Sequence, residues 1–380
     1  MDFDFPDELK QLRDTARAFL AARSPTAVAR KVLDGNLDLD RELWKEIGDL
    51  GWLAATIPEA HGGLGLGPLA VCVLAEEIGR SLAPVPFSSS VTFATEALLH
   101  YGSPEQQRAH LPRLADGTVI GTLAFVESVG ITDPRIFQTR FANGRLDGTK
   151  LLVADGVVAD IAIVAARGVD GAPGLYIAAL AGATVSRTSR PTIDPSRGHA
   201  DLRFEGHPAE PLAGARGTAA FSNLLDRAAV VMAFEQIGIA GAALDMATAY
   251  AKERYAFGRP VGSFQAIKHK LVDVYVALEL ARSNAYFAAW ALANEAPELP
   301  VAAAAARVSA CEAAWLATKE NIQTHGGMGF TWDLDCHLYY RRAKLLGLAL
   351  GSATEWKRKL IERLCVQEGV PLADVTTARG

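Results

Sequence analysis

The hydrophobic period of this chain changes twice along its length, and that change restricts the fold more than any single motif. From about residue 5 to 118 apolar residues recur at helical spacing. Leu9, Leu12, Ala16 and Leu20 share one face, Leu43, Ile47 and Leu50 a second, and Val71, Leu74, Ile78 and Leu82 a third. The glycine-rich stretch PEAHGGLG (58–65) separates the last two as a loop. From about 119 to 215 the pattern shortens to brief β-branched or apolar runs at 119–125, 151–153, 161–165 and 175–179, parted by Gly, Asn, Asp and Pro. Asn143-Gly144 within this zone is a hairpin signal. From about 217 the chain is alanine-rich and helical again, with long segments at 238–253, 264–295 and 301–325. Small residues on facing helices permit close packing. The reading is an α+β chain with an N-terminal helical domain (1–118), a central antiparallel β domain (119–216) and a C-terminal helical bundle (217–380).

At 380 residues and 50% hydrophobic content such a chain can bury a core of several layers. A net charge of −5 with dispersed Lys and Arg argues against nucleic-acid binding. The first residues carry neither a basic nor an apolar leader segment, and the apolar stretches near Val301 and Leu345 are interrupted by charge. Cys72, Cys311, Cys336 and Cys365 have no metal-like spacing, so reduced thiols, no metal and no membrane insertion are expected. A cytoplasmic protein is the corresponding expectation.

Several motifs in fixed order then narrow the class. ERYAFGRPVGSFQAIKHKL (253–271), QTHGGMGFTWD (323–333) and RRAK (341–344) resemble the C-terminal signatures of the acyl-CoA dehydrogenase family. PEAHGGLG (58–65) and EEIGR (76–80) resemble its N-terminal domain, so the likeness spans nearly the whole chain. It implies a four-helix C-terminal bundle, bound FAD, an acyl-CoA substrate, and reoxidation by electron-transferring flavoprotein. Arg254 and Phe257 match the residues that reach the FAD of a neighbouring subunit, which implies a homo- or hetero-oligomer. A guanidinium suits a pyrophosphate by its fixed fork of donors. Phe264, Gln265, Gln323, Gly326 and Gly327 fall on further cofactor positions, where paired glycines admit a flat ligand close to the backbone. Gly351, before Ser352, matches a glycine-threonine contact.

FVESVGITD (125–133) aligns with the flavin-binding loop of the family. Val126 replaces a threonine there, and Thr132 keeps a hydroxyl. After Gly148-Thr149-Lys150, Leu152 and Ala154 stand where an aromatic residue and a threonine flank the flavin. Each lost bond to the cofactor costs roughly 1 kcal/mol.

The reaction implied is removal of an α-proton from an acyl-CoA thioester with transfer of the β-hydrogen to flavin. It needs a carboxylate raised in pKa by burial. Counting from Gly326-Gly327 puts the family's glutamate on Asp333, a catalytic base one methylene shorter. Aspartate serves as base in the related nitroalkane oxidases. Helix-start capping is its bland alternative. The family's second base position falls on Ala228, two residues from Asp226, and Asp335 falls on a cofactor contact. Glu127, His61 and His325 read as structural. Three functions remain open: an FAD-dependent acyl-CoA dehydrogenase using Asp333, a catalytically impaired partner subunit of a heteromeric dehydrogenase, and a flavin oxidase on the same fold. Acyl chain length is not legible.

Overall fold

The computed structural model describes residues 5–35, 39–128, 132–369 and 371. Residues 1–4 of the leader reading and 129–131 of the flavin-loop motif therefore lie outside the described residues. Helices α1 (Asp7–Arg23), α2 (Thr26–Leu33), α3 (Arg41–Asp49) and α4 (Pro68–Ser81) come first. A π-helical segment Ser88–Thr95, α5 (Glu96–Tyr101) and α6 (Pro104–Ala115) follow. The apolar faces behave as their spacing requires, since Ala16, Leu20, Leu43, Ile47, Val71, Leu74, Ile78 and Leu82 are all buried. Leu50 departs from this: it lies past the end of α3 and is 48% exposed.

The middle zone is one sheet built from β1 (Gly121–Ala124), β2 (Arg140–Ala142), β3 (Arg145–Ala154), β4 (Ile161–Arg167), β5 (Pro173–Ala179), β6 (Val185–Arg190), β7 (His199–Pro208) and β8 (Glu210–Arg216). The strand order is β6-β7-β3-β2-β4-β5-β8, with β1 on β4. The expectation of a purely antiparallel domain needs correction, because β1 and β2 both pair with β4 in parallel. Hydrophobic period reports strand and face, not the direction of a partner. Asn143-Gly144 does form the β2–β3 hairpin turn, with φ of +51° and +75°.

The last zone holds α7 (Thr218–Glu253), the small hairpin β9 (Tyr255–Ala256) and β10 (Arg259–Pro260), α8 (Gln265–Ala293), α9 (Leu299–His325), α10 (Cys336–Leu348) and α11 (Ala353–Glu368). α7 is the axis of the molecule. It packs on α4, α8, α9 and α10, and its first half touches β5 and β8. Its contact with α4 depends on paired glycines. A Cβ on Gly238 would lie 1.9 Å from the carbonyl oxygen of Glu76, and one on Gly79 would lie 2.0 Å from that of Glu235. α7 and the segment 299–330 have the length and apolarity of membrane-crossing helices, with window hydropathies of 1.4 and 1.2. Burial of 78% of the α7 window against its neighbours accounts for that composition as core. All four cysteines are buried free thiols on helices.

Candidate active and cofactor site

The predicted cofactor residues fall into two groups, and the fold sets them apart. The first lies where the sheet meets the starts of α7 and α11. Here the Val126 carbonyl accepts from the Leu151 amide at 2.7 Å. Glu127 accepts from the amides of Gln138 and Thr139 and from Lys150 Nζ, the last at 2.6 Å. Its structural reading therefore holds, and Lys150 is fully buried beside it. Burial lowers the Lys150 pKa to about 8, against the opposing pull of Glu127.

Side chains of α7 and α11 partly cover this first group. Phe221 of α7 packs at 5.7 Å between ring centroids on both Phe125 and Phe137. Thr132 is buried, and its hydroxyl donates to the Glu355 carboxylate. Glu355 sits three residues after Ser352, which caps α11 by accepting from the Glu355 amide at 3.2 Å. Its carboxylate folds back over Gly351, where a Cβ would meet Oε2 at 2.5 Å. Oε2 itself is buried without a hydrogen-bond partner. Leu152 sits at a bulge with φ +51°, 44% exposed, with its amide donating to Asp201 at 3.0 Å. The Ala154 carbonyl accepts from Thr122 at 2.6 Å. Positions 126, 152 and 154 thus offer no side-chain donor, and Thr132 spends its own on a carboxylate. The Glu355 carboxylate stands here among the cationic side chains of Arg135, Arg358, Lys359 and Arg363, so the charge around Thr132 is mixed.

The second group lies at the far end of α7 and is open. Arg254 terminates α7, and β9–β10 turns back through Phe257 (φ +53°) and Gly258 (φ +78°). That turn holds Phe257 out from the surface, 95% exposed. Phe264 precedes α8, stands edge-on to Phe257 at 6.3 Å and carries Arg259 over its face at 4.0 Å. His325 Nδ1 donates to the Asn321 carbonyl at 2.8 Å, and its ring stacks on Tyr250 at 4.1 Å, which ties the end of α9 to the end of α7. Gly326 leaves α9 at φ +62°, and neither it nor Gly327 has any neighbour within 4 Å of an added Cβ. Among the described residues the exposed side chains of Arg254, Gln265 and Gln323 have no hydrogen-bond or ion-pair partner. Gln323 also lines a cavity of about 390 Å³ with Phe330, Trp332, Tyr340, Arg341 and Ile193. Free cationic and amide donors, aromatic faces and bare backbone fit part of a dinucleotide.

Thr132 and Glu355 share a second cavity, of about 300 Å³, with Phe221, Leu225, Arg135, Arg358, Lys359 and Arg363 near the start of α7. From Leu225 to Arg254 the helix runs on the order of 40 Å at 1.5 Å per residue. One dinucleotide cannot touch both groups within one chain.

Asp333 belongs to neither closed cleft nor buried site. It is exposed on the turn before α10, without a side-chain partner among the described residues. The 13 residues of α10 separate it from Gly351 by about 20 Å. The burial expected of a base is absent, because the turn leaves the bundle end instead of folding into it. The capping alternative fails as well, since Asp335 holds the cap position of α10 and makes no cap bond. Asp335 is not free for a cofactor. It accepts from Thr26 at 2.5 Å and from Arg30 Nε at 2.8 Å. Ala228 is fully buried, and Asp226 is held by Arg363 through two bonds of 2.8 Å. Burial raises the Asp226 pKa to about 6 despite that guanidinium. Sequence reasoning missed Glu355, Phe221 and Arg30. Glu355 had a signal in the Ser-x-x-Glu pattern opening α11, whereas nothing near Arg30 pointed across the chain.

Helices before and after a mixed sheet, with free donors and aromatic faces at the end of the bundle, fit a protein of the flavoprotein dehydrogenase class. The comparisons agree. Residues 6–118 match the acyl-CoA dehydrogenase N-terminal domain and residues 215–364 the acyl-CoA dehydrogenase C-terminal domain. The chain belongs to the acyl-CoA dehydrogenase family, a family of flavoprotein oxidoreductases. It is 35% identical to the acyl-CoA dehydrogenase IpdE2 of Mycobacterium tuberculosis over 363 residues, 93% of this chain and 96% of that one. Among solved structures it resembles a variant of the Tcur3481–Tcur3483 steroid ACAD, at 32% identity and a TM-score of 0.87, over 96% of this chain and 99% of that one. It also resembles the ChsE4–ChsE5 complex of Mycobacterium tuberculosis, at 29% identity and a TM-score of 0.88, with the same coverage.

Proposed function

We propose that this chain is the flavin-poor partner subunit of a heteromeric acyl-CoA dehydrogenase. One observation carries the reading: the residues at 126, 152 and 154 bring no side-chain donor and Thr132 gives its own to Glu355, whereas Arg254, Gln265 and Gln323 at the other end of α7 stand free. The open set, Arg254, Phe257, Phe264, Gln265, Gln323, Gly326 and Gly327, completes the cofactor site of a second dehydrogenase chain. That second chain supplies the flavin-facing donors and the base. The cofactor, when bound there, accepts the β-hydrogen of the acyl group. On this side Arg254 holds phosphate charge, the Phe257 and Phe264 rings exclude water, and Gln323 orients the nucleotide.

Two relatives support this reading, since the ChsE4–ChsE5 complex and the Tcur3481–Tcur3483 steroid ACAD are each named for two chains. The second of these also favours a CoA thioester of a steroid-derived acid as substrate. Electron-transferring flavoprotein is the electron acceptor of the assembly in this reading. Against an Asp333-based dehydrogenase made of this chain alone stands the exposure of Asp333 in the single chain, a helix away from the sheet.

The test is purification with and without a second dehydrogenase-like chain from the same genome. Alone, this chain comes out colourless and leaves acyl-CoA unchanged. Together, the pair comes out yellow with one FAD per two chains. One FAD per chain and turnover by this chain alone refute the proposal.

A further inference from the structure

The Trp332–Asp335 turn borders the open half-site, yet it is anchored from the opposite end of the sequence. Arg30 of α2 donates through Nη1 to the Trp332 carbonyl at 2.7 Å and through Nε to Asp335 at 2.8 Å. Its Nη2 lies 2.6 Å from the same carboxylate oxygen. Thr26, one turn earlier on α2, donates to the other oxygen. α2 is itself fixed, since Ala29 and Val32 are buried in the N-terminal helices. On the far side Trp332 stacks on His337 at 4.8 Å. Arg341 reaches from there to the Ile193 carbonyl at 2.8 Å. The turn is otherwise exposed, and Trp332 and the preceding Phe330, 51% and 82% exposed, line the cavity beside Gln323.

We propose that Arg30 is a positioning residue for the cofactor half-site, holding the Phe330–Asp335 segment in the shape that receives the nucleotide of the partner's flavin. A planar fork suits this task, because one guanidinium spans a carboxylate and a carbonyl at fixed spacing. Lysine offers a single ammonium and cannot hold both. The proposal rests on the partner-subunit reading, and two readouts keep the two apart.

In the chain alone, Arg30→Met is expected to speed hydrogen exchange in residues 331–335 and leave the melting temperature and the other segments unchanged. In the assembled pair, Arg30→Met and Asp335→Asn are each expected to weaken FAD binding on the order of tenfold, the size of one lost anchoring contact. The double variant weakens it no further, and Arg30→Lys falls between. Unchanged exchange at 331–335, or FAD affinity equal to that of the parent pair, overturns the proposal. A parent pair that takes up no FAD sinks the partner reading instead, and the exchange experiment still decides whether Arg30 holds the turn.

Discussion

Replacing Arg363 by methionine removes the guanidinium from which both Asp226 oxygens accept, at 2.8 Å each, and leaves a stem of similar length beside Trp356. Asp226 is 5% exposed. Burial raises its pKa from 3.8 to about 6 even with Arg363 in place. A rise of roughly two units corresponds to about 3 kcal/mol of folding free energy. Because the folded chain holds this proton more tightly than the unfolded chain, the contribution is present below about pH 4. It is lost as pH climbs towards 6 and is level above that. Without Arg363 the folded pKa rises further, so the loss continues past pH 6. At pH 5 Arg363→Met should therefore lose mainly the bond from Arg363 to the Pro300 carbonyl, about 1 kcal/mol. At pH 8 it should be less stable by about 3 kcal/mol, the lower end of the cost of breaking a buried pair. Urea unfolding followed by circular dichroism, at both pH values and with matched slopes, measures this. An equal gap at pH 5 and pH 8 would show that Arg363 acts through packing and not through the Asp226 charge.

Glu127→Gln strips the fully buried Lys150 of its carboxylate and should cost about 3 kcal/mol or more by denaturant midpoint. Lys150→Met should cost less, because Glu127 keeps two backbone donors. Gly238→Ala should cost about 1–3 kcal/mol, since α4 and α7 must separate to admit the methyl group. Gly241→Ala, whose Cβ meets only Arg80 Nη1 at 3.4 Å, serves as the tolerated control on the same helix. Asp333→Asn should leave turnover of the assembled pair within about twofold, whereas a hundredfold loss would restore Asp333 as the base.

The two changes of hydrophobic period already determine the order helix, sheet, helix. Burial of a helix stripe or a strand face is a local requirement written into every few residues. The motifs at 253–271 and 323–333 likewise determine which residues stand at the open end of the bundle, because each is contiguous and its turn is set by its own glycines. Only the tertiary structure decides that β1 and β2 run parallel to β4, since side-chain alternation is the same in either direction. It alone reveals that Glu355 closes over Thr132 from a helix 223 residues later, and that Arg30 holds a turn 302 residues away. Long-range pairings of this kind leave no trace in local spacing, because their partners are chosen by how α7 sets the layers side by side. For the same reason Asp333, which counting along the chain makes a base, is left in solvent by the turn that carries it.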